Sequence, residues 1–109
     1  MSSLSTHVLD TTHGTPAAGV ALVLRADKTV LFTAETGTDG RWRCPIDLAP
    51  GRYRLEFAVA AYFAAKGVSL AQPPFFDSIG IDFALAQEGG HYHVPLLVSP
   101  YGYSTYRGS

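Results

Sequence analysis

Hydrophobic and polar residues alternate with a period of two over much of this chain. Near the carboxyl end, Tyr92, Val94, Leu96 and Val98 alternate with His91, His93, Pro95 and Leu97. That period sends successive side chains to opposite faces of a strand, so both histidines share the face opposite the apolar set. Ser99-Pro100-Tyr101-Gly102 then supplies turn residues: Pro presets φ and Gly tolerates φ > 0. Tyr103 to Tyr106 favours strand again. The pattern predicts a hairpin whose second face carries two imidazoles close together, which points to a site rather than a plain solvated surface.

The same reading extends upstream. Leu4 to Asp10 alternates, placing His7 on the face opposite Val8. Thr11 to Gly19 is punctuated by Gly14, Pro16 and Gly19 and reads as a loop. Val20 to Ala26 is a nearly continuous apolar run, which predicts a strand buried on both faces. Thr29 to Thr36 alternates again, and the Asp39-Gly40 turn pair leads into a short strand from Arg41 to Cys44, ended by Pro45. Arg52 to Ala58 sends Tyr53, Leu55 and Phe57 one way and Arg52, Arg54 and Glu56 the other. From Val59 to Lys66 the period changes: the segment is alanine-rich, Val59, Tyr62, Phe63 and Lys66 stand at helical spacing, and Gly67 is placed to cap. Residues 79 to 86 read as one more strand. About eight short strands, one short helix and regular turns predict a single all-β sandwich domain over residues 1–109.

Composition narrows the class. Of 109 residues, 47% are hydrophobic and 16% charged, a packing composition rather than a disordered one. A net charge of -1 leaves no basic excess for nucleic acid. No run is long enough to span a bilayer, and no amino-terminal export signal is expected. Cys44 is the only cysteine, which predicts a small buried residue and a reducing compartment, the cytoplasm. The histidine side of the sheet (His7, Leu9, His93, Pro95, Leu97) is too apolar for a free surface, so a symmetric oligomer is expected with the site in or near the subunit contact.

Three chemistries suit these residues. His7 and His93 could work as acid and base, since imidazole titrates near neutrality. Arg41, at a strand end beside the Asp39-Gly40 turn, would orient an anionic or oxygen-rich substrate and stabilise charge on a carbonyl oxygen. His91 and His93 form an H-x-H pair that could bind metal with His7 as a third ligand; no carboxylate or thiolate sits beside them, which ranks this below hydrolysis. A binding module, with a channel holding a small hydrophobic ligand, is the third. The plainer readings are that His13 is a loop residue, His91 a structural donor, Arg43, Arg52 and Arg54 a solvated strand face, and Tyr53, Tyr62 and Phe63 core. No G-x-S-x-G elbow supports a nucleophilic serine.

The terminal YSTYRGS, the preceding HYHVPLLVSP, the early THVLDTTHGTPAAGV and the central TDGRW together resemble the 5-hydroxyisourate hydrolases, the transthyretin-related proteins. The resemblance covers essentially the whole chain. Its marker is Tyr106-Arg107-Gly108-Ser109, which in that family separates the hydrolases from transthyretin, the thyroid-hormone carrier. One departure is Asp77, in a linker, where the family pattern has proline. The resemblance implies a prealbumin/transthyretin-like sandwich of two four-stranded sheets with one short helix. It implies a homotetramer, a dimer of dimers, with active sites at the dimer–dimer contact. The implied reaction is hydrolysis of 5-hydroxyisourate to 2-oxo-4-hydroxy-4-carboxy-5-ureidoimidazoline in urate degradation, with no cofactor or metal. Carried over by motif, His7, Arg41 and His93 are the catalytic set, and Tyr106 and Ser109 contact substrate. The alternative is a non-enzymatic carrier of a small aromatic ligand in an inter-subunit channel.

Overall fold

One strand organises the molecule. In the computed structural model, which describes residues 1–108, β1 (Ser2–Asp10) buries every second side chain, Ser2, Leu4, Thr6, Val8 and Asp10. Ser3, Ser5, His7 and Leu9 lie half-buried on its other face. The remaining elements are β2 (Thr15–Pro16), β3 (Ala21–Ala26), β4 (Thr29–Glu35), β5 (Arg41–Arg43), β6 (Gly51–Phe57), α1 (Val59–Ala65), β7 (Ile79–Leu85), β8 (Gly90–His93), β9 (Leu96–Ser99) and β10 (Gly102–Thr105).

The strands form two sheets. In the first, β1 pairs antiparallel with β5 and β2 on one side and parallel with β8 and β9 on the other, and β10 flanks β9. Its six segments therefore fill four ranks, because β2 with β5, and β8 with β9, share a rank. The second sheet runs β4-β3-β6-β7, entirely antiparallel. The expected transthyretin-like sandwich of two sheets with one helix is the observed architecture; where two four-stranded sheets were expected, the first has six strand segments in four ranks.

The core lies between the sheets. Leu4, Val8, Leu96 and Val98 from the first meet Leu22, Leu24, Leu55 and Phe57 from the second, with Phe63 of α1 fully covered. Burying each such side chain contributes about 1.5–3 kcal/mol. A one-residue slip of β1 would exchange Leu4 and Val8 for Ser3, Ser5 and His7, so the register is firmly set. The helix follows its sequence pattern: Val59, Tyr62 and Phe63 face inward, and it ends at Gly67, whose φ of +80° lets Val68 N–H bond back to the Phe63 carbonyl at 3.0 Å.

Three expectations need correction. The apolar run at 20–26 is not buried on both faces: Leu22 and Leu24 are buried, but Ala21 is exposed and Val23 and Arg25 only half-covered. The strand is in an antiparallel sheet with one wet side, where alternation suffices. The strand predicted from His91 to Val98 is broken between His93 and Leu96, because Pro95 has no N–H for the ladder. The parallel register against β1 nonetheless continues unchanged across the break. The loop at 11–19 contains a short paired segment, β2.

Candidate active site

The outer faces of the two sheets differ in charge. On the β3–β6–β7 side Arg25 and Arg54 are neutralised: Arg25 Nε donates to Glu56 at 2.8 Å, and Arg54 reaches Glu56 at 3.2 Å and Asp82 at 2.8 Å. Arg54 lies across Gly80, where a Cβ would come within 2.0 Å of the guanidinium. The solvated-face reading holds for Arg52, which is exposed, while Arg54 is half-buried and paired. On the β1 side, among the described residues, the one carboxylate paired with Arg41 is that of Asp39, at 4.0 Å, with both side chains more than half exposed. Such a pair is worth little in water, so the cationic edge of Arg41 stays available.

Pairing register assembles the site. Across β1 and β5, His7 stands opposite Arg41 and Ser5 opposite Arg43. Across β1 and β8, Ser5 stands opposite His93 and Ser3 opposite His91. Paired residues share a face, so all these side chains project from one side of the sheet. Arg41 reaches this position because the 37–40 turn is tight. Gly40 has φ +77° and lies so close to β1 that a Cβ would come within 2.6 Å of the Val8 carbonyl oxygen. Its own carbonyl accepts from Val8 N–H at 2.8 Å, and Asp39 Oδ1 accepts from Arg41 N–H at 3.0 Å.

Ser5, Arg41, Arg43, His91 and His93 line an open cleft of about 550 Å³. His93 Nδ1 shares a 2.8 Å hydrogen bond with Ser5 Oγ, which leaves Nε2 toward the cleft. Burial pushes the His93 imidazole below its ordinary value of 6.5, and repulsion from Arg41, His7 and His91 pushes the same way. His93 is therefore neutral at pH 7, the state a proton acceptor needs. His7 is half-buried, and its Nε2 is enclosed with no hydrogen-bond partner among the described residues. A buried polar atom without a partner is uncommon, and in the single chain His7 lies beside the cleft rather than among the residues that line it.

The predicted site residues thus divide. His7, Arg41 and His93 converge on one face. Tyr106 is 58% exposed and lines a different groove, with Ile81, Phe83, Tyr92 and Arg107. A single chain does not bring it into the histidine cleft. Ser109 lies outside the described residues. The tail still touches the site: Gly108 N–H donates to the His93 carbonyl at 2.8 Å, and the Arg107 guanidinium packs 4.1 Å from the centre of the Tyr92 ring.

Comparison with known proteins decides the family. The profile of the HIUase/Transthyretin family matches residues 4–108. The chain belongs to that family. It is 52% identical to a 5-hydroxyisourate hydrolase of Caulobacter vibrioides across the whole of both chains. Among solved structures it is similar to the 5-hydroxyisourate hydrolase of Klebsiella pneumoniae, with a TM-score of 0.88, 40% identity and full coverage of both chains. It is also similar to sea bream transthyretin in complex with thyroxine, with a TM-score of 0.83 and 33% identity, covering 96% of this chain and 93% of that one.

Within this HIUase/Transthyretin chain, sequence reasoning missed two groups. Ser3 and Ser5 hold the imidazoles of His91 and His93. Their signal was present, since Ser3, Ser5 and His7 share one strand face, but only the register to β8 shows what they touch. The second group surrounds Asp10. This fully buried carboxylate accepts from the N–H groups of Thr12 and His13, from the His13 ring, and from Tyr62 Oη at 2.8 Å. Burial alone would raise the Asp10 carboxyl, but the hydrogen bonds from His13 and Tyr62 outweigh it and lower it. Burial and the Asp10 charge push the Tyr62 phenol up to about 12. His13 is thus more than a loop residue, and the cluster ties α1 to the end of β1. Among the described residues no three His, Cys, Asp or Glu side chains form a metal-binding group.

Proposed function

We propose that this protein hydrolyses 5-hydroxyisourate, opening the ring at its cyclic amide to yield 2-oxo-4-hydroxy-4-carboxy-5-ureidoimidazoline in urate degradation. The observation that carries the reading is the meeting of a neutral His93, an Arg41 held only by a loose, exposed pair with Asp39 among the described residues, and His7 on one sheet face, in a chain whose full-length relatives are named for this reaction.

The chemistry is hydrolytic addition followed by C–N cleavage. His93 Nε2 takes a proton from water as the oxygen attacks the ring carbonyl. Arg41 stabilises the negative charge that develops on that carbonyl oxygen. His7 assists proton delivery to the departing ring nitrogen, and collapse of the adduct leaves the new carboxylate. Tyr106 and Ser109 hold the plane of the substrate. We assign their contacts to a homotetramer, a dimer of dimers, in which the half-buried apolar face around Leu9 and Leu97 becomes a subunit contact near the cleft. A single buried Cys44 without a disulfide partner suits the cytoplasm. No helix among the described residues is long and apolar enough to cross a membrane.

The test is an absorbance assay. Urate oxidase generates 5-hydroxyisourate, this protein is added, and the transient should vanish faster than it does spontaneously. An unchanged decay sinks the proposal. The likeness to a thyroxine-bound transthyretin favours the carrier as a second reading, which predicts ligand binding with no effect on that transient.

A further inference from the structure

Four side chains on the sheet face that holds the cleft form an unbroken hydrogen-bonded line. Ser3 Oγ meets His91 Nδ1 at 2.6 Å, His91 Nε2 meets Ser5 Oγ at 3.1 Å, and Ser5 Oγ meets His93 Nδ1 at 2.8 Å. We infer that the Ser5 hydroxyl is a positioning residue that couples His93 to His91, carrying the proton taken up at His93 outward to His91 at the surface. The inference rests on the hydrolase reading for its catalytic consequence.

The reason lies in the inventory of one hydroxyl. Ser5 Oγ stands between two imidazole nitrogens and has a single proton to donate, so it donates to one ring and accepts from the other. In one direction His93 Nδ1–H donates to Ser5, Ser5 donates to His91 Nε2, and His91 Nδ1–H donates to Ser3. His93 Nε2 is then a bare lone pair facing the cleft, which is the base form. In the other direction every proton sits on the opposite partner, and His93 carries its proton at Nε2, which is the acid form. The hydroxyl links the tautomers of the two rings.

The same line can move charge. When His93 Nε2 takes a proton from water, the ring becomes an imidazolium. Its Nδ1 proton can pass to Ser5 Oγ as the Ser5 proton passes to His91 Nε2. No heavy-atom bond changes. The outcome is a neutral His93 protonated at Nε2, ready to donate, and a charged His91. The surroundings of the two rings differ. His93 is half-buried and faces Arg41 and His7, whereas His91 is exposed and water solvates its charge. Among the described residues the other charged groups facing the pair are Arg43 of β5, Asp39 of the preceding turn and Arg107 of the tail, whose Nη2 approaches the His91 carbonyl at 3.4 Å. The one carboxylate among these, on Asp39, is itself exposed, so it does not hold the charge at His93.

Ser5→Ala tests this in the intact protein, with Ser5→Thr as the variant that retains a hydroxyl. Turnover of 5-hydroxyisourate is followed across pH, and ring nitrogen shifts of His91 and His93 are followed by ¹⁵N NMR over the same range. Expected for Ser5→Ala is a kcat lower by about tenfold, the factor that corresponds to one hydrogen bond, with little change in KM. In the wild type, protonation of one ring should move the nitrogen shifts of the other; in Ser5→Ala each ring should titrate alone. Ser5→Thr should restore both behaviours. The inference is overturned if Ser5→Ala leaves the two titrations coupled, whatever happens to its rate, or if it uncouples them without lowering kcat in an active enzyme. If the wild type itself does not speed loss of 5-hydroxyisourate, the hydrolase reading has failed. The NMR titrations then decide the coupling by themselves.

Discussion

Replacing Gly108 with alanine should damage the chemistry far more than the fold. Alanine would place its Cβ 2.5 Å from Cδ2 of His93, 3.2 Å from Cγ and 3.3 Å from Cβ. Carbon atoms pack at about 3.5–4.0 Å, so a gap of about 1 Å must be opened. Two anchors oppose it. Ser5 holds the ring at Nδ1, and Gly108 N–H holds the His93 carbonyl, each at 2.8 Å. Either the ring turns and gives up Ser5, or the tail lifts and gives up the backbone bond. Each loss is worth about 0.5–1.5 kcal/mol, which for a domain of this size lowers Tm by about 4–8 °C per kcal/mol. The sheet pairing elsewhere is untouched. A reacting group displaced by about 1 Å, however, costs on the order of 10²-fold in rate. The assay is decay of enzymatically generated 5-hydroxyisourate, read beside thermal unfolding. A folded Gly108→Ala protein with undiminished kcat/KM would refute the claim that the tail fixes the His93 ring.

Three further outcomes follow from the same geometry. His93→Ala should remain folded and lose roughly 10²-fold or more in turnover, the usual scale for removing an acid or base; full activity would remove His93 from the mechanism. Because burial, then Arg41, His7 and His91, depress the His93 value below 6.5, the reactive neutral form persists into mildly acidic solution. The acid limb of kcat/KM should therefore fall below the ordinary imidazole midpoint of about 6.5, and a midpoint above it would contradict the assignment. The sign for stability is the same. The unfolded chain protonates near 6.5 while folded His93 resists, so this contribution is complete above that value and is lost as pH falls from there through the folded one. Tyr62→Phe removes one donor from the buried Asp10 carboxylate and should cost about 1.5–3 kcal/mol in denaturant unfolding, with turnover unchanged because the cluster lies outside the cleft.

Much of this molecule was legible as a string of residues. Alternation through Leu4–Asp10 and 91–98 correctly placed His7 and His93 on the side opposite the core, because a period of two is a local property of any strand. Turn residues were equally local: Asp39-Gly40 and Pro100-Tyr101-Gly102 fold back where their chemistry says they must. The break at Pro95 could also have been read, since a missing N–H interrupts any ladder.

What tertiary structure alone decided is who stands beside whom. Parallel pairing of β1 with β8 sets Ser5 against His93, and antiparallel pairing with β5 sets Arg41 against His7. These partners lie tens of residues apart in the chain. Their alignment is chosen by which register buries Leu4, Val8, Leu96 and Val98 together, a property of the whole core that no segment carries by itself. The contact of Asp10 with Tyr62 and that of Gly108 with the His93 ring are of the same kind. Each depends on where a helix or a tail lands after the sheets have closed, and so each was silent in the sequence.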